Sequence, residues 1–212
     1  MKTYLTEFIG TFFLVLTIGL TVLDGTPLAP LAIGSALMIM VYMGGHVSGA
    51  HYNPAVSLAV FMRGKMDAKD VAPYMIAQVV GALAASLIVY LIVDKTFAPA
   101  PDPDAGLVGV LLVEFLFTFA LALVVLNSAT AKGTAGNSFY GLAIGFTVMV
   151  GAFAGGAVSG GAFNPAVGIG PIVTNAVLGD GSFGDIWIYL VAPLLGGAAS
   201  AFVFKMQNPG DD

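Results

Sequence analysis

The sequence lacks cysteine and has few charged residues: none of its 212 residues is a cysteine, and 9% are charged. The absence of thiols excludes disulfide bonds, thiolate metal sites and a cysteine nucleophile. The two histidines have no carboxylate cluster beside them, so we expect no metal site and no cofactor. The net charge of −5 includes no basic stripe, so nucleic acid is not an expected partner.

Apolar residues dominate instead, at 58% of the chain. A membrane-spanning helix needs about 20 consecutive apolar residues, and turn or loop signals separate six stretches of that kind. We therefore predict an all-α membrane protein with six transmembrane helices, whose first helix is a retained span rather than a signal peptide. The predicted spans are 4–23, 28–45, 71–93, 107–126, 137–157 and 184–204.

Two further apolar segments, 46–62 and 158–174, are too short to cross a membrane, and each has Asn-Pro in its middle. Asn is a preferred N-cap, and Pro suits the first helical position because an N–H there would have no partner. Short segments of this kind in corresponding places of two halves indicate re-entrant half-helices that line a cavity. We predict half-helices at about 54–62 and 165–173.

The two halves of the chain are similar to each other. Residues 48–56 align without gaps to residues 159–167, and the Glu-Phe pair at Glu7 is repeated at Glu114. Three spans per half is an odd number, so the second half must enter the membrane from the opposite side, and the repeat is inverted. We expect a single domain, 1–212, with repeat halves at about 1–95 and 107–205.

The basic residues indicate the orientation. With the N-terminus inside, Lys95 alone falls outside, which fits the excess of Lys and Arg in the cytoplasmic loops of membrane proteins. Both termini are therefore expected in the cytoplasm. The basic residues expected inside are Lys2, Arg63, Lys65, Lys69, Lys132 and Lys205.

Asn53 and Asn164 form the predicted central constriction. If each side-chain oxygen caps its own half-helix, each NH₂ group faces the pore as a hydrogen-bond donor. Two donors and two facing positive helix ends would hold a solute oxygen while opposing protons and cations. The loops before the asparagines could add backbone carbonyls as acceptors, so the pathway suits uncharged, hydrogen-bonding solutes. Those carbonyls belong to Gly49, Ala50, His51, Gly160 and Ala162.

Glu7 and Glu114 are the carboxylates placed well inside the predicted spans, where ionisable residues are functional candidates. They could carry protons in a proton-coupled secondary transporter, a class that also uses inverted repeats with broken helices. Alternatively, they accept hydrogen bonds from N–H groups of the re-entrant loops, and their matched positions favour this structural role. For His46 and His51, loop anchoring or vestibule lining is favoured over a proton relay. The sequence has no nucleophile–base constellation that would predict an enzyme.

These motifs resemble those of the aquaporin, or major intrinsic protein, family. The resemblance rests on residues 45–56, on residues 161–166 and on the two Glu-Phe pairs, and it spans nearly the whole chain. It implies an aquaporin-like fold in the lipid bilayer of a bacterial-type plasma (inner) membrane, assembled as a homotetramer with one pore per subunit. Water and small neutral solutes are the partners that it implies.

The family's second constriction, toward the outside, normally contains an arginine directly after the second Asn-Pro-Ala. Here that residue is Val167. By the same resemblance, the other members of this outer selectivity filter are Ile33, Ala152 and Gly161. All of them are small or aliphatic, which predicts a wide, apolar opening with weaker exclusion of bulky neutral solutes.

Two further features bear on the solute. Glycerol facilitators carry an Asp where this chain has Gly168, and residues 187–193 are similar to the last span of plant nodulin-type and bacterial metalloid-conducting members. An aliphatic residue at the arginine position also resembles channels associated with bacterial arsenic resistance. Water, glycerol, arsenite and methylated arsenicals all stay candidate solutes, and the sequence does not rank them.

Overall fold

The computed structural model describes residues 1–211, and this part of the chain contains eight α-helices. Six of them are long and apolar enough to cross a membrane, and two are shorter. This is the all-α architecture that the sequence predicts. In chain order the helices are α1 (Lys2–Asp24), α2 (Ala29–Ser48), α3 (Pro54–Met62), α4 (Ala68–Val93), α5 (Leu107–Val125), α6 (Tyr140–Ser159), α7 (Pro165–Leu178) and α8 (Ile186–Gln207).

The short helices α3 and α7 begin at the two prolines, as predicted. Helix α3 also ends where the sequence indicates, at Met62, but α7 continues to Leu178 rather than ending near residue 173. The reason is that the first effective stop signal is Gly179, whose N–H closes the last turn on the carbonyl oxygen of Asn175 at 3.0 Å.

The link between α5 and α6 also differs from the prediction. Residues 127–136 lie between two predicted spans, but a π-helical turn, Leu126–Thr130, directly continues α5. The hydroxyls of Ser128 and Thr130 donate to carbonyl oxygens four residues earlier, at 2.6 and 2.7 Å. Hydroxyl side chains that bond back in this way are compatible with helical backbone, so polarity alone did not end the helix.

Helices α1–α4 and α5–α8 repeat the same order of two long helices, a short one and a long one. Helix α1 packs against α2 and α4, and α5 packs against α6 and α8 in the same way. The short helices also cross between the halves, since α3 contacts α8 and α7 contacts α4. Each half therefore supplies part of the packing that encloses the other half's short helix.

Helices α2 and α6 join the halves at Gly34 and Gly145. A Cβ on Gly34 would lie 2.6 Å from the carbonyl oxygen of Gly145, and a Cβ on Gly145 would overlap the carbonyl of Gly34. Small residues permit this approach of two backbones, and close packing drives helix association where lipid removes the hydrophobic effect. The two glycines thus let the halves meet backbone to backbone.

Both ends of the described chain lie on one face of the bundle. The Tyr4 hydroxyl donates to the Asp70 carboxylate at 2.6 Å, which joins the starts of α1 and α4. Asp211 forms a 3.0 Å salt bridge with Arg63 and accepts a hydrogen bond from the N–H of Lys132 at 2.8 Å. We call this the terminal face. The opposite, far face carries the loops 25–28, 94–106 and 179–185.

Candidate solute pathway

Asn53 and Asn164 cap the two short helices. The Oδ1 atom of Asn53 accepts a hydrogen bond from the N–H of Ala55 at 2.8 Å, and Asn164 does the same for Ala166 at 2.9 Å. Both asparagines are extended and nearly fully buried. Each satisfies one of the N–H groups that a helix start leaves without an intrahelical partner, as the sequence indicates.

The amide NH₂ groups of these asparagines also link the two halves. The Nδ2 of Asn53 donates to the carbonyl oxygen of Phe163 at 2.9 Å, and the Nδ2 of Asn164 donates to that of Tyr52 at 2.9 Å. One hydrogen of each NH₂ group therefore bonds to the opposite loop. An NH₂ group has two donors, so each asparagine keeps one hydrogen for a passing solute, because the two helix starts abut closely enough to use the other.

Glu7 supports the first re-entrant loop from inside the bundle. Its carboxylate accepts hydrogen bonds from the N–H groups of His51 at 3.0 Å and Tyr52 at 2.7 Å. It also accepts from the Ser48 hydroxyl at 2.6 Å and from Gln78 Nε2 at 2.8 Å. The side chain is fully buried, so its oxygens serve the loop rather than a solute.

Glu114 repeats this arrangement for the second loop. It accepts from the N–H of Ala162 at 3.0 Å, from the N–H of Phe163 at 2.7 Å and from the Ser159 hydroxyl at 2.7 Å. Like Glu7 it is fully buried, and neither carboxylate lines either of the two cavities described below. These contacts favour the structural role over proton coupling.

The loops reach this geometry through left-handed backbone. Tyr52 and Phe163, at matched positions, both have φ of 49°, and Ala50 and Gly161 have φ of 52° and 65°. Such values are uncommon for residues other than glycine and cluster at functional sites. The N–H groups turn toward the glutamates, and the carbonyls of Tyr52 and Phe163 accept from the asparagine amides, which leaves the earlier loop carbonyls free. Within the described part of the chain, none of the carbonyls predicted as acceptors takes a protein hydrogen bond.

A cavity of about 320 Å³ runs inward from the far face and passes the two caps. No Asp, Glu, Lys or Arg among the described residues lines it. Of the residues predicted for carbonyl lining, His51, Gly160 and Ala162 lie in its wall. The wall also contains both caps and all of the predicted filter: Asn53, Asn164, Ile33, Ala152, Gly161 and Val167.

A second cavity, of about 730 Å³, opens at the terminal face. Gly49 and His51 belong to its wall together with charged residues such as Lys65 and Asp67. Ala50 lines neither cavity and is 3% exposed. That the Ala50 carbonyl lines the pathway stays a prediction.

The two histidines lie in different surroundings. His46 is exposed in the last turn of α2 and lines neither cavity. His51 is buried, with Nδ1 3.0 Å from the Ser57 hydroxyl and its ring centroid 5.1 Å from that of Tyr74. For His51, the contacts agree with both loop anchoring and vestibule lining.

Phe97 is a wall residue that the sequence did not point to. It comes from the loop between the halves, is 8% exposed and lies against Gly19 of α1, which has no side chain to displace it. The sequence offered one signal, a single aromatic residue beside the proline-rich stretch 98–103. Its position in a loop could not reveal that the Phe97 side chain lines the cavity near the far face.

The protein has six membrane-length helices, two capped half-helices that meet end to end, and a cavity that passes these caps. This architecture defines a multi-pass α-helical membrane channel. A family model described as "Major intrinsic protein" matches residues 1–204. The chain belongs to this family.

Several known proteins are similar to the chain over most of its length. Aquaporin NIP1-4 of Oryza sativa subsp. japonica is 35% identical over 97% of this chain and 77% of its own. Glycerol uptake facilitator protein-like 6 of Lactiplantibacillus plantarum is 35% identical over 100% of both chains. The X-ray structure of the aquaglyceroporin from Plasmodium falciparum has a TM-score of 0.88 at 26% identity and covers 98% of this chain and 97% of that one.

Family membership fixes the broad activity. The protein is an integral, multi-pass membrane channel for water and small uncharged solutes, and it is not an enzyme. The buried, fully engaged glutamates agree with a passive channel, because a proton carrier would need access to the pathway.

The glutamate network gives a direct stability prediction. We expect Glu114→Gln to lower the free energy of unfolding by about 1–3 kcal/mol, the usual cost of leaving a buried donor without an acceptor. The amide offers one oxygen where the carboxylate uses both, so the N–H of Ala162 or Phe163 loses its partner. Thermal unfolding in detergent would measure this, with the exposed Asp104→Asn as the matched control. Equal melting temperatures for both variants would contradict the structural role.

Proposed function

We propose that the protein is a passive channel whose wide, apolar outer filter admits uncharged hydroxylated solutes larger than water, such as glycerol and metalloid hydroxides including arsenite. The observation that carries this proposal is Val167, which stands in the cavity wall at the position where the family normally has arginine. With no charged side chain in the described wall, a neutral solute meets neither a fixed cation nor the narrowing that an arginine side chain causes.

The filter residues are small as well as uncharged. Gly161 has no side chain, Ala152 offers a single methyl group, and both are half-buried rather than buried. Ile33 and Val167 add aliphatic surface and are 8% and 4% exposed. Such a wall compensates poorly for the lost hydration of a water molecule but favours contact with the carbon skeleton of a polyol.

Asn53 and Asn164 act one step further in. Each keeps one amide hydrogen for the lumen, and each stands at the positive end of a half-helix. A solute oxygen therefore accepts from the asparagines while its hydroxyl hydrogens turn to loop carbonyls such as those of His51 and Ala162. Cations are repelled by the helix ends, and a continuous chain of hydrogen-bonded water is broken there.

The glycerol and metalloid candidates have different support. One similar protein bears the name glycerol uptake facilitator, and the similar crystal structure is of an aquaglyceroporin. For arsenite, the support is the aliphatic filter together with the similarity to an aquaporin of the NIP type. Both solutes are small, uncharged at neutral pH and rich in hydroxyl groups, so the same wall suits both.

We extend the proposal to orientation and assembly. The terminal face carries the basic residues of the predicted inside set, such as Arg63 and Lys132, and the far face carries Lys95, so the terminal face is cytoplasmic by the positive-inside rule. The membrane is a bacterial-type inner membrane and the assembly a homotetramer, as the family resemblance implies. Packing of α3 on α8 and of α7 on α4 supports one domain made of the halves 1–95 and 107–205.

Stopped-flow measurements on proteoliposomes test the proposed function. We expect protein-dependent permeability to water, glycerol and arsenite that is the same with and without a pH gradient, because no titratable group of the pathway needs to cycle. Empty liposomes are the control. Uptake that requires a pH gradient would instead support the transporter, and no permeability gain for any of the three solutes would refute the channel.

Substitution of Val167 tests the filter. We expect Val167→Arg to reduce glycerol permeability by roughly tenfold, equivalent to about 1.4 kcal/mol of added barrier, and to reduce water permeability much less. Val167→Met is the matched control, since it adds length without charge and separates narrowing from electrostatic effects. Equal reductions for water and glycerol in Val167→Arg would argue against a size filter at this position.

A further inference from the structure

The two cavities of the pathway meet at His51 and Val125. Among the described residues, these two alone line both the cavity that opens at the far face and the cavity that opens at the terminal face. We call this pair the neck. The caps and the predicted outer filter all line the first cavity, so the neck is where the two cavities adjoin.

The neck exposes little surface to the pathway. His51 is 8% exposed and Val125 is 3% exposed, similar to Ile33 and Val167 of the outer filter at 8% and 4%. Val125 is the last residue of α5, and the π-helical turn begins directly after it. Such turns often occur at functional sites in helices.

The two halves of the inverted repeat differ at both positions of the neck. In the sequence, Val125 follows Glu114 by the same number of residues as Ile18 follows Glu7. Likewise, His51 precedes Asn53 by two residues, as Ala162 precedes Asn164. Val125 is buried where Ile18 is half-buried. The imidazole of His51 has only a methyl group as its counterpart in the outer half. The two halves therefore share one backbone arrangement but differ in the side chains that line the pathway.

The His51 ring is held in place by a chain of hydrogen bonds. Its Nδ1 lies 3.0 Å from the Ser57 hydroxyl, which accepts from Gln78 Nε2 at 2.9 Å, and Gln78 Nε2 also donates to Glu7 at 2.8 Å. A ring fixed on one side cannot swing out of the pathway to admit a larger solute. Its Nε2 has no protein partner among the described residues and is left to meet the solute.

This network has no equivalent in the second half. Tyr74 and Tyr189 occupy corresponding positions in the two halves. The Tyr74 hydroxyl donates to the carbonyl of the serine that ends α2 at 2.8 Å, and the Tyr189 hydroxyl does the same for the serine that ends α6 at 2.6 Å. Four residues beyond them stand Gln78 and Pro193, and the counterpart of Ser57 is Gly168. Neither Pro193 nor Gly168 has a polar side chain, so only the inner end of the pathway has a braced wall.

We infer that the neck of His51 and Val125, rather than the outer filter, sets the upper size of neutral solute that this channel conducts. The inference rests on the proposed function, because it presumes a channel for hydroxylated solutes. The wide outer filter admits such solutes to the first cavity, and the His51 imidazole and the Val125 side chain limit the size of those that leave it.

Size-graded polyols in proteoliposomes test the neck. We expect Val125→Ala to raise the permeability ratio of ribitol to water by roughly tenfold, equivalent to about 1.4 kcal/mol of barrier, and Val125→Phe to lower the ratio of glycerol to water. The matched control is Ile18→Ala, which truncates the counterpart residue in the outer half and should change both ratios much less. His51→Ala should act in the same direction as Val125→Ala.

The outcomes separate the two levels of the proposal. Equal changes from Ile18→Ala and Val125→Ala, or none from either Val125 variant, would overturn the neck while a conducting wild-type protein leaves the proposed function intact. A wild-type protein that conducts neither water nor glycerol would overturn the proposed function itself. Should His51→Ala fail to fold, the opposite shifts expected for the two Val125 variants decide the matter.

Discussion

Everything in this pathway depends on one constraint: backbone N–H groups at membrane depth must find partners inside the protein. Glu7 and Glu114 meet it by accepting two loop N–H groups each. Once the N–H groups face the glutamates, the carbonyls face the other way and become the polar surface of an otherwise apolar pore. The buried carboxyl groups, the left-handed loops and the free carbonyls are therefore three consequences of this one requirement.

The second organising feature is the inverted repeat, together with the positions at which its two halves differ. The inverted repeat places two asparagine caps end to end, each bonded to the opposite loop, and a valine follows Asn-Pro-Ala in both halves. A symmetric pore would treat solutes alike at both mouths. Any difference between the two mouths must therefore come from positions where the halves differ, chiefly His51 against Ala162. Phe97, which belongs to the loop between the halves, is another such position.

Local signals in the sequence predict the eight helices and the two caps, but not the end of α7 or the π-helical turn after α5. Asn-Pro fixed the starts of α3 and α7, and the matched glutamates indicated loop support, because both depend on neighbours or on the repeat. The bonds between Asn53 and Phe163 and between Asn164 and Tyr52 join residues 110 and 112 positions apart. Such contacts arise only when the halves pack together, and the place of Phe97 only when its loop packs on α1, so spacing could not reveal them.

The central claim is that the paired caps pass neutral solutes while refusing protons. The most direct measurement is proton flux, followed with an enclosed pH-sensitive dye, in the same proteoliposomes whose water and glycerol permeabilities are known. With increasing protein density, the account predicts that solute permeability rises while proton flux stays at the value of protein-free liposomes. Proton flux that rises in proportion to solute permeability would contradict it.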